Sequence, residues 1–176
     1  GYGSKVLPYE EASRVPLIMY DPRHKNSGRQ LRSAALTGNV DFAPTMLELA
    51  GVPIPSEMDG RSLVPLYDDP RSEIHESLTL INAWGPISAQ SLSVVTKDWK
   101  YIYWPYGGDG MKPTEEMYHL AEDRMELVNR AVKNQHPEVL KELRGEYDKA
   151  VRSWRNDAVD YNNYEPYGDY YDRTIS

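Results

Sequence analysis

The residues able to do chemistry are spread thinly along this chain, and the first is a lysine. Lys5 stands five positions before Glu10 and Glu11, and Arg14 then leads into Val15-Pro16-Leu17-Ile18-Met19. An ammonium group is a compact point charge with three donors, suited to gripping an anionic oxygen. Among glycine, serine and valine the same residue also reads as a solvated surface cation. Glu10 and Glu11 offer a carboxylate pair for proton transfer, or a structural carboxylate that holds the turn before the apolar run with Arg14 as partner. We favour the structural reading. Arg23, His24, Lys25, Arg29 and Arg32 form a cationic loop. Such a loop either attracts a polyanion or is simply solvated. His24, His75, His119 and His136 are scattered, with no two at a helical metal-ligand spacing, so they suggest no metal site. Asp68-Asp69 and Glu122-Asp123 lack the alternating oxygen pattern of a calcium loop. Trp84, Trp99, Trp104 and Tyr106 are candidate sugar platforms, with core and cross-strand packing as the default. Trp104 and Tyr106 are the substrate-binding candidates, because Pro105 and the glycine-rich stretch 107–110 put them at a strand end.

Composition narrows the classes. The 176 residues carry a net charge of -7 with 40% hydrophobic and 27% charged residues, the balance of a folded, water-facing domain. A nucleic-acid partner needs a basic face, which this charge argues against. There is no cysteine, which removes disulfides, thiolate metal sites and thiol nucleophiles from these residues. No run of about 18 apolar residues occurs, so no membrane span is expected. Fourteen tyrosines stand against one phenylalanine, a bias that suits half-buried surfaces with wet hydroxyls.

The elements that must position these residues fall into two pieces. Residues 14–20 form a short apolar run without alternation, the pattern of a strand covered on both faces in a parallel sheet. Asp41 is a plausible N-cap for a short helix carrying Phe42, Met46, Leu49 and Ala50 on one face, with Gly51 at its end. Residues 52–70 are proline-rich and irregular. From residue 77 onward, 77–84, 88–96 and 100–104 read as strands, with Lys97-Asp98 as a tight turn, and 116–120 as a fourth. Pro137 starts an amphipathic helix with Leu140, Leu143, Tyr147, Val151, Trp154 and Ala158 at spacings of three or four. A tyrosine-rich tail follows from Tyr161. The fold class is therefore α/β, of the α+β kind within this chain. Residues 1–70 look like the end of an α/β core, and residues 71–176 like a small antiparallel sheet packed on a C-terminal helix. A lone strand of parallel type cannot bury both faces, so the first piece implies partners elsewhere.

Three blocks in order, Lys5 with Glu10 and Arg14-Val15-Pro16-Leu17, then Asp41-Phe42-Ala43-Pro44-Thr45-Met46-Leu47, then Asp59-Gly60-Arg61-Ser62-Leu63, resemble the C-terminal part of the sulfatase family in the alkaline-phosphatase-like superfamily. Lys97-Asp98-Trp99-Lys100-Tyr101-Ile102-Tyr103-Trp104, Glu116-Met117-Tyr118-His119-Leu120 and Glu126-Leu127-Val128-Asn129 resemble that family's closing sheet. The resemblance implies hydrolysis of an organic sulfate ester, on a carbohydrate or another sulfated small molecule or polysaccharide. It implies that Lys5 contacts the sulfate group and bridging oxygen, stabilising charge as the ester breaks. It also implies a calcium ion and a formylglycine nucleophile, neither of whose motifs stands in this chain, and hence a missing N-terminal portion of the same enzyme. A related phosphonate or phosphodiester hydrolase, and a non-catalytic interaction module of the same ancestry, are the alternatives.

Overall fold

The structure, a computed structural model, describes residues 7–106, 110–132 and 135–175. Among these the elements run α1 (Glu10–Ser13), α2 (Phe42–Leu49), α3 (Pro65–Asp68), β1 (Ser77–Asn82), β2 (Ser91–Thr96), β3 (Trp99–Trp104), β4 (Thr114–His119), α4 (Pro137–Asp157) and α5 (Tyr167–Tyr170). The chain divides into two compact units, residues 16–78 in one and residues 1–15 with 79–176 in the other. The sequence suggested a single cut near residue 70. Residues 7–15 instead group with the sheet unit.

In the sheet unit the strand order is β1-β2-β3-β4, with β2/β3 and β3/β4 antiparallel. The expected turn at Lys97-Asp98 joins β2 to β3, and the Thr96 hydroxyl accepts from the Trp99 amide at 3.1 Å. Side chains alternate across the pleat. Leu92, Val94, Tyr101, Tyr103 and Met117 form one face and bury against Leu140, Leu143, Tyr147 and Val151 of α4. The three- and four-residue spacing puts those four on one stripe of the helix. Ile102, Trp104 and Tyr118 turn to the other face, where Leu7, Tyr9, Tyr106 and Leu120 pack on them. That two-sided cover explains why β2 is an unbroken apolar and small-residue run rather than an alternating one.

Two expectations about this half need correction. Trp154 is only half-buried; its indole N–H donates to the Tyr164 carbonyl at 3.0 Å, at the helix end where the chain turns back. Ala158 lies beyond α4, as its C-cap. The tyrosine-rich tail does what Trp154 was expected to do. Tyr171 is fully buried in the main core, its carbonyl accepts from the Tyr147 hydroxyl at 2.6 Å, and its own hydroxyl donates to the Asn82 carbonyl at 2.7 Å.

The other unit is organised around a buried carboxylate. Asp41 precedes α2 but its side chain does not cap that helix. Its oxygens accept instead from the Gly38 amide at 2.7 Å and the Arg61 amide at 2.8 Å, and one lies 2.7 Å from His75 Nε2. Thr45 continues the knot, taking the Leu63 amide on its hydroxyl at 2.9 Å. The 59–63 block must therefore come up against the start of α2, and a Cβ on Gly60 would lie 1.9 Å from the Val40 carbonyl oxygen. Glycine is the residue that fits such a close backbone approach. A small core of Leu63, Leu66 and Ile74 sits beside it, with Met19 and Ala35 packed on it.

Two apolar surfaces in this unit are uncovered. Residues 14–20, of which 16–20 belong to this unit, are not a strand; they run without ladder partners, with Ile18 90% and Tyr20 73% exposed. A strand of the parallel type needs neighbours on both edges, and no described segment pairs with this one. On α2, Pro44 and Thr45 are the buried residues, so the face carrying Phe42, Met46 and Leu49 points outward, Met46 being 68% exposed.

Candidate functional site

Lys5, the single catalytic candidate, lies outside the described residues, as do 107–109 in the loop beside Tyr106. The chain immediately after Lys5 is described from Leu7, and it is held by charge. Lys100, the second residue of β3, is completely buried. Its ammonium group donates to the Pro8 carbonyl at 2.9 Å, to Glu10 Oε1 at 2.8 Å and to the Ser13 hydroxyl at 3.4 Å, and forms an ion pair with Glu126 Oε1 at 2.9 Å. The second oxygen of Glu126 accepts the Glu10 amide, so Glu10 is gripped through side chain and main chain together. Ser13 completes the turn by donating its hydroxyl to the Tyr9 carbonyl at 3.0 Å.

Glu126 reaches this position from a braced loop. Its φ is 54°, the left-handed region that a glutamate seldom occupies. The loop is fixed by the Asp123 carboxylate, which takes the Leu127 and Val128 amides at 3.1 and 2.8 Å, and by the Arg130 amide donating to the Met117 carbonyl on β4 at 2.8 Å. Burial lifts the Glu126 carboxyl above the ordinary glutamate range, and the Glu10 amide and Lys100 offset only part of that effect. Glu10 is thus the structural carboxylate favoured from sequence. Its main partner is Lys100 rather than Arg14, which stands 3.6 Å away and exposed. The sequence reading missed Lys100 and Glu126. Lys100 had a signal, a cation flanked by Trp99 and Tyr101 inside a strand buried on both faces; Glu126 stood in a block that resembles the family's closing sheet, but nothing in it pointed to Glu10 or Lys100 as partners.

The two substrate-binding candidates stand one residue apart but in different surroundings. Trp104 is only 3% exposed, with Tyr9 at 6.4 Å and Tyr106 stacked on it at 5.8 Å and 13°. Tyr106 is half-buried with φ 45°, which turns its ring back over Trp104 as the strand ends. The Tyr9 and Tyr118 hydroxyls both donate to Glu116 Oε2 at 3.0 Å. Burial and the Glu116 charge raise both phenols well above the usual tyrosine range, so they stay protonated donors.

Elsewhere the charges are largely self-satisfied. In the cationic loop Arg23 is paired with Asp21 at 2.9 Å and Lys25 with Asp68 at 2.6 Å, which reduces the positive field open to a polyanion. His119 rests on the Trp99 ring at 4.4 Å and against Glu122 at 3.1 Å. Among the described residues no three acidic or histidine side chains converge in a way that could hold a metal ion. None of their helices is long and apolar enough to cross a membrane.

Comparison with known proteins places these features in a wider frame. The family model described as N-sulphoglucosamine sulphohydrolase, C-terminal, matches residues 1–153. Arylsulfatase K of Homo sapiens is 33% identical over 136 residues, 73% of this chain and 24% of that protein. An N-acetylglucosamine-6-O-sulfatase of Bacteroides thetaiotaomicron is 29% identical over 167 residues, 91% of this chain and 29% of that protein. A protein solved in complex with its substrate D-glucosamine-2-N,6-O-disulfate superposes with a TM-score of 0.61 at 26% identity, covering 74% of this chain and 27% of that one. The chain spans about a quarter of the length of the curated relatives it matches.

Proposed function

This chain belongs to the sulfatase family, and from that membership we propose that it is the C-terminal part of an enzyme hydrolysing sulfate esters carried on a sugar. The observation that carries the reading is the family match across residues 1–153, a span that contains Lys5, Glu10 and Arg14-Val15-Pro16-Leu17. Relatives named for N-acetylglucosamine-6-O-sulfate and for a glucosamine disulfate support a sulfated amino sugar as the substrate class. Lys5 acts as the donor to the sulfate group and bridging oxygen, and its charge counts most as negative charge develops on the leaving oxygen. The exposed edge of Tyr106, supported from beneath by Trp104, is the surface that meets the sugar.

The described residues do not fit a calcium site, since no three suitable side chains converge. The ion and the formylglycine nucleophile that sulfatases use are held, in this reading, by a part of the protein outside this chain.

The test is steady-state kinetics of the full-length protein on a panel of sulfated amino sugars, an aryl sulfate and a phosphodiester. Lys5→Ala should lower turnover by on the order of 100- to 1,000-fold, the cost of removing one oriented donor, with little change in the thermal melt. Lys5→Arg should rescue only in part, because a planar guanidinium does not occupy the place of a compact ammonium. Near-wild-type turnover by Lys5→Ala would make the lysine a surface cation and remove the catalytic assignment. Faster turnover of the phosphodiester than of any sulfate ester would move the enzyme to the sister activity.

A further inference from the structure

Burying Lys100, Glu10 and Glu126 together is a costly way to hold a turn. Apolar side chains of similar volume often do as well or better for stability, and the best-attested use of a buried ionic group is to fix one register. The apolar contacts are already present: Leu7 and Tyr9 pack on Ile102, Trp104 and Tyr118. Contacts of that kind keep a segment against a sheet but leave it free to slide along it, because they have no direction. The ionic group removes that freedom. Lys100 takes the Pro8 carbonyl and the Glu10 carboxylate at 2.9 and 2.8 Å. Glu126, anchored independently through its braced loop, takes the Glu10 amide. Residues 8 and 10 are thereby referred to β3 and to the loop after β4 by three directed bonds.

The consequence falls on Lys5. It stands three residues before Pro8, and three residues span at most about 11 Å of chain. The anchored carbonyl of Pro8 is therefore a fixed point within about 11 Å of chain from Lys5. Misplacing a reacting group by about 1 Å can cost on the order of 100-fold in rate. We propose that Lys100 and Glu126 are positioning residues for the sulfatase reaction, setting where the Lys5 ammonium meets the sulfate through the turn at residues 8–10. This rests on the catalytic role proposed above for Lys5.

The experiment is a double-mutant cycle in the full-length enzyme, with kcat and KM measured on a sulfated amino sugar for Lys5→Ala, Lys100→Met and the two combined, and a thermal melt of each. Lys100→Met is expected to lower kcat by on the order of 10- to 100-fold while changing KM less. In the Lys5→Ala background it should lower kcat no further, because the residue it acts through is gone. A merely structural lysine would depress the active fraction, and hence kcat, by the same factor in both backgrounds; that outcome overturns the proposal. So does a Lys100→Met enzyme with unchanged kcat beside a Lys5→Ala enzyme that has lost turnover, a result that leaves the catalytic role of Lys5 standing. Full activity of Lys5→Ala itself removes both. If Lys100→Met does not fold, Glu126→Gln is the deciding variant: it keeps an acceptor for the Glu10 amide and should give a smaller kcat loss with the same dependence on Lys5, while an equal loss in both backgrounds overturns the proposal.

Discussion

At the scale of single residues, the group formed by Lys100, Glu10 and Glu126 carries two carboxylates on one ammonium, and its members should not respond alike to removal. Lys100→Met leaves two buried carboxylates facing each other uncompensated and should cost about 3–5 kcal/mol. Glu126→Gln leaves the Lys100–Glu10 pair intact and should cost far less. The pH dependence follows from the direction of the Glu126 shift. Its carboxyl titrates above the ordinary glutamate range because burial disfavours the charge. The folded state therefore binds that proton more tightly than the unfolded chain does. The stability this contributes is complete below the unfolded glutamate range, near pH 4.3, and is lost as pH rises through the elevated folded value. Melts of the wild type and Glu126→Gln across that window should show the wild type losing stability relative to the variant as pH increases. A constant difference would mean that Glu126 titrates normally. Lys5 and Glu10 stood out in the sequence through their spacing. Glu126 lay in a block that resembles the closing sheet, yet its pairing was unreadable, because nothing local tells that a glutamate reaches its partner through a loop returning from β4.

At the scale of elements, what could be read in advance was whatever carries a period. The antiparallel strands and the α4 stripe of Leu140, Leu143, Tyr147 and Val151 followed from side-chain alternation and helical spacing, and they are where expected. Trp154 continues that spacing but sits one turn too far along, beyond the edge of the sheet core. Tyr147→Ala should accordingly cost about 3–5 kcal/mol as a core aromatic truncation. Trp154→Ala, at a half-exposed site, should cost less than half as much; equal losses in denaturant melts would put Trp154 back in the core. The 41–63 knot was not readable as a knot. Asp41 carried the signature of a helix cap, and only the return of residues 60–61 and His75 shows that its carboxylate ties loops together instead. Gly60→Ala tests that geometry directly. The methyl group would meet the Val40 carbonyl, so the backbones must part, at about 1–3 kcal/mol by the usual cost of overpacking. A neutral substitution would show that residues 59–63 do not approach the start of α2.

At the scale of the whole molecule, this chain displays apolar surface that a self-sufficient domain would cover. Ile18, Tyr20 and Met46 are 90%, 73% and 68% exposed. They lie on the two elements, residues 14–20 and α2, that the sequence reads as belonging to a larger α/β core. Large exposed apolar side chains in such number mark a site of association or an aggregation liability where they cluster. The chemistry argues the same way. One lysine can stabilise a leaving oxygen, but it supplies neither a nucleophile nor a Lewis acid, and this chain has no cysteine. Purified as these 176 residues, the chain should therefore bind a hydrophobic dye and self-associate as its concentration rises. It should turn over no sulfate ester even with added calcium. Replacing Ile18 and Met46 by serine should reduce both dye binding and self-association without lowering the melting temperature of the sheet unit, because neither residue belongs to its core. Hydrolysis of an aryl sulfate by the 176-residue chain would overturn this account at its root, since it would place a complete active site within residues for which we propose a single catalytic lysine.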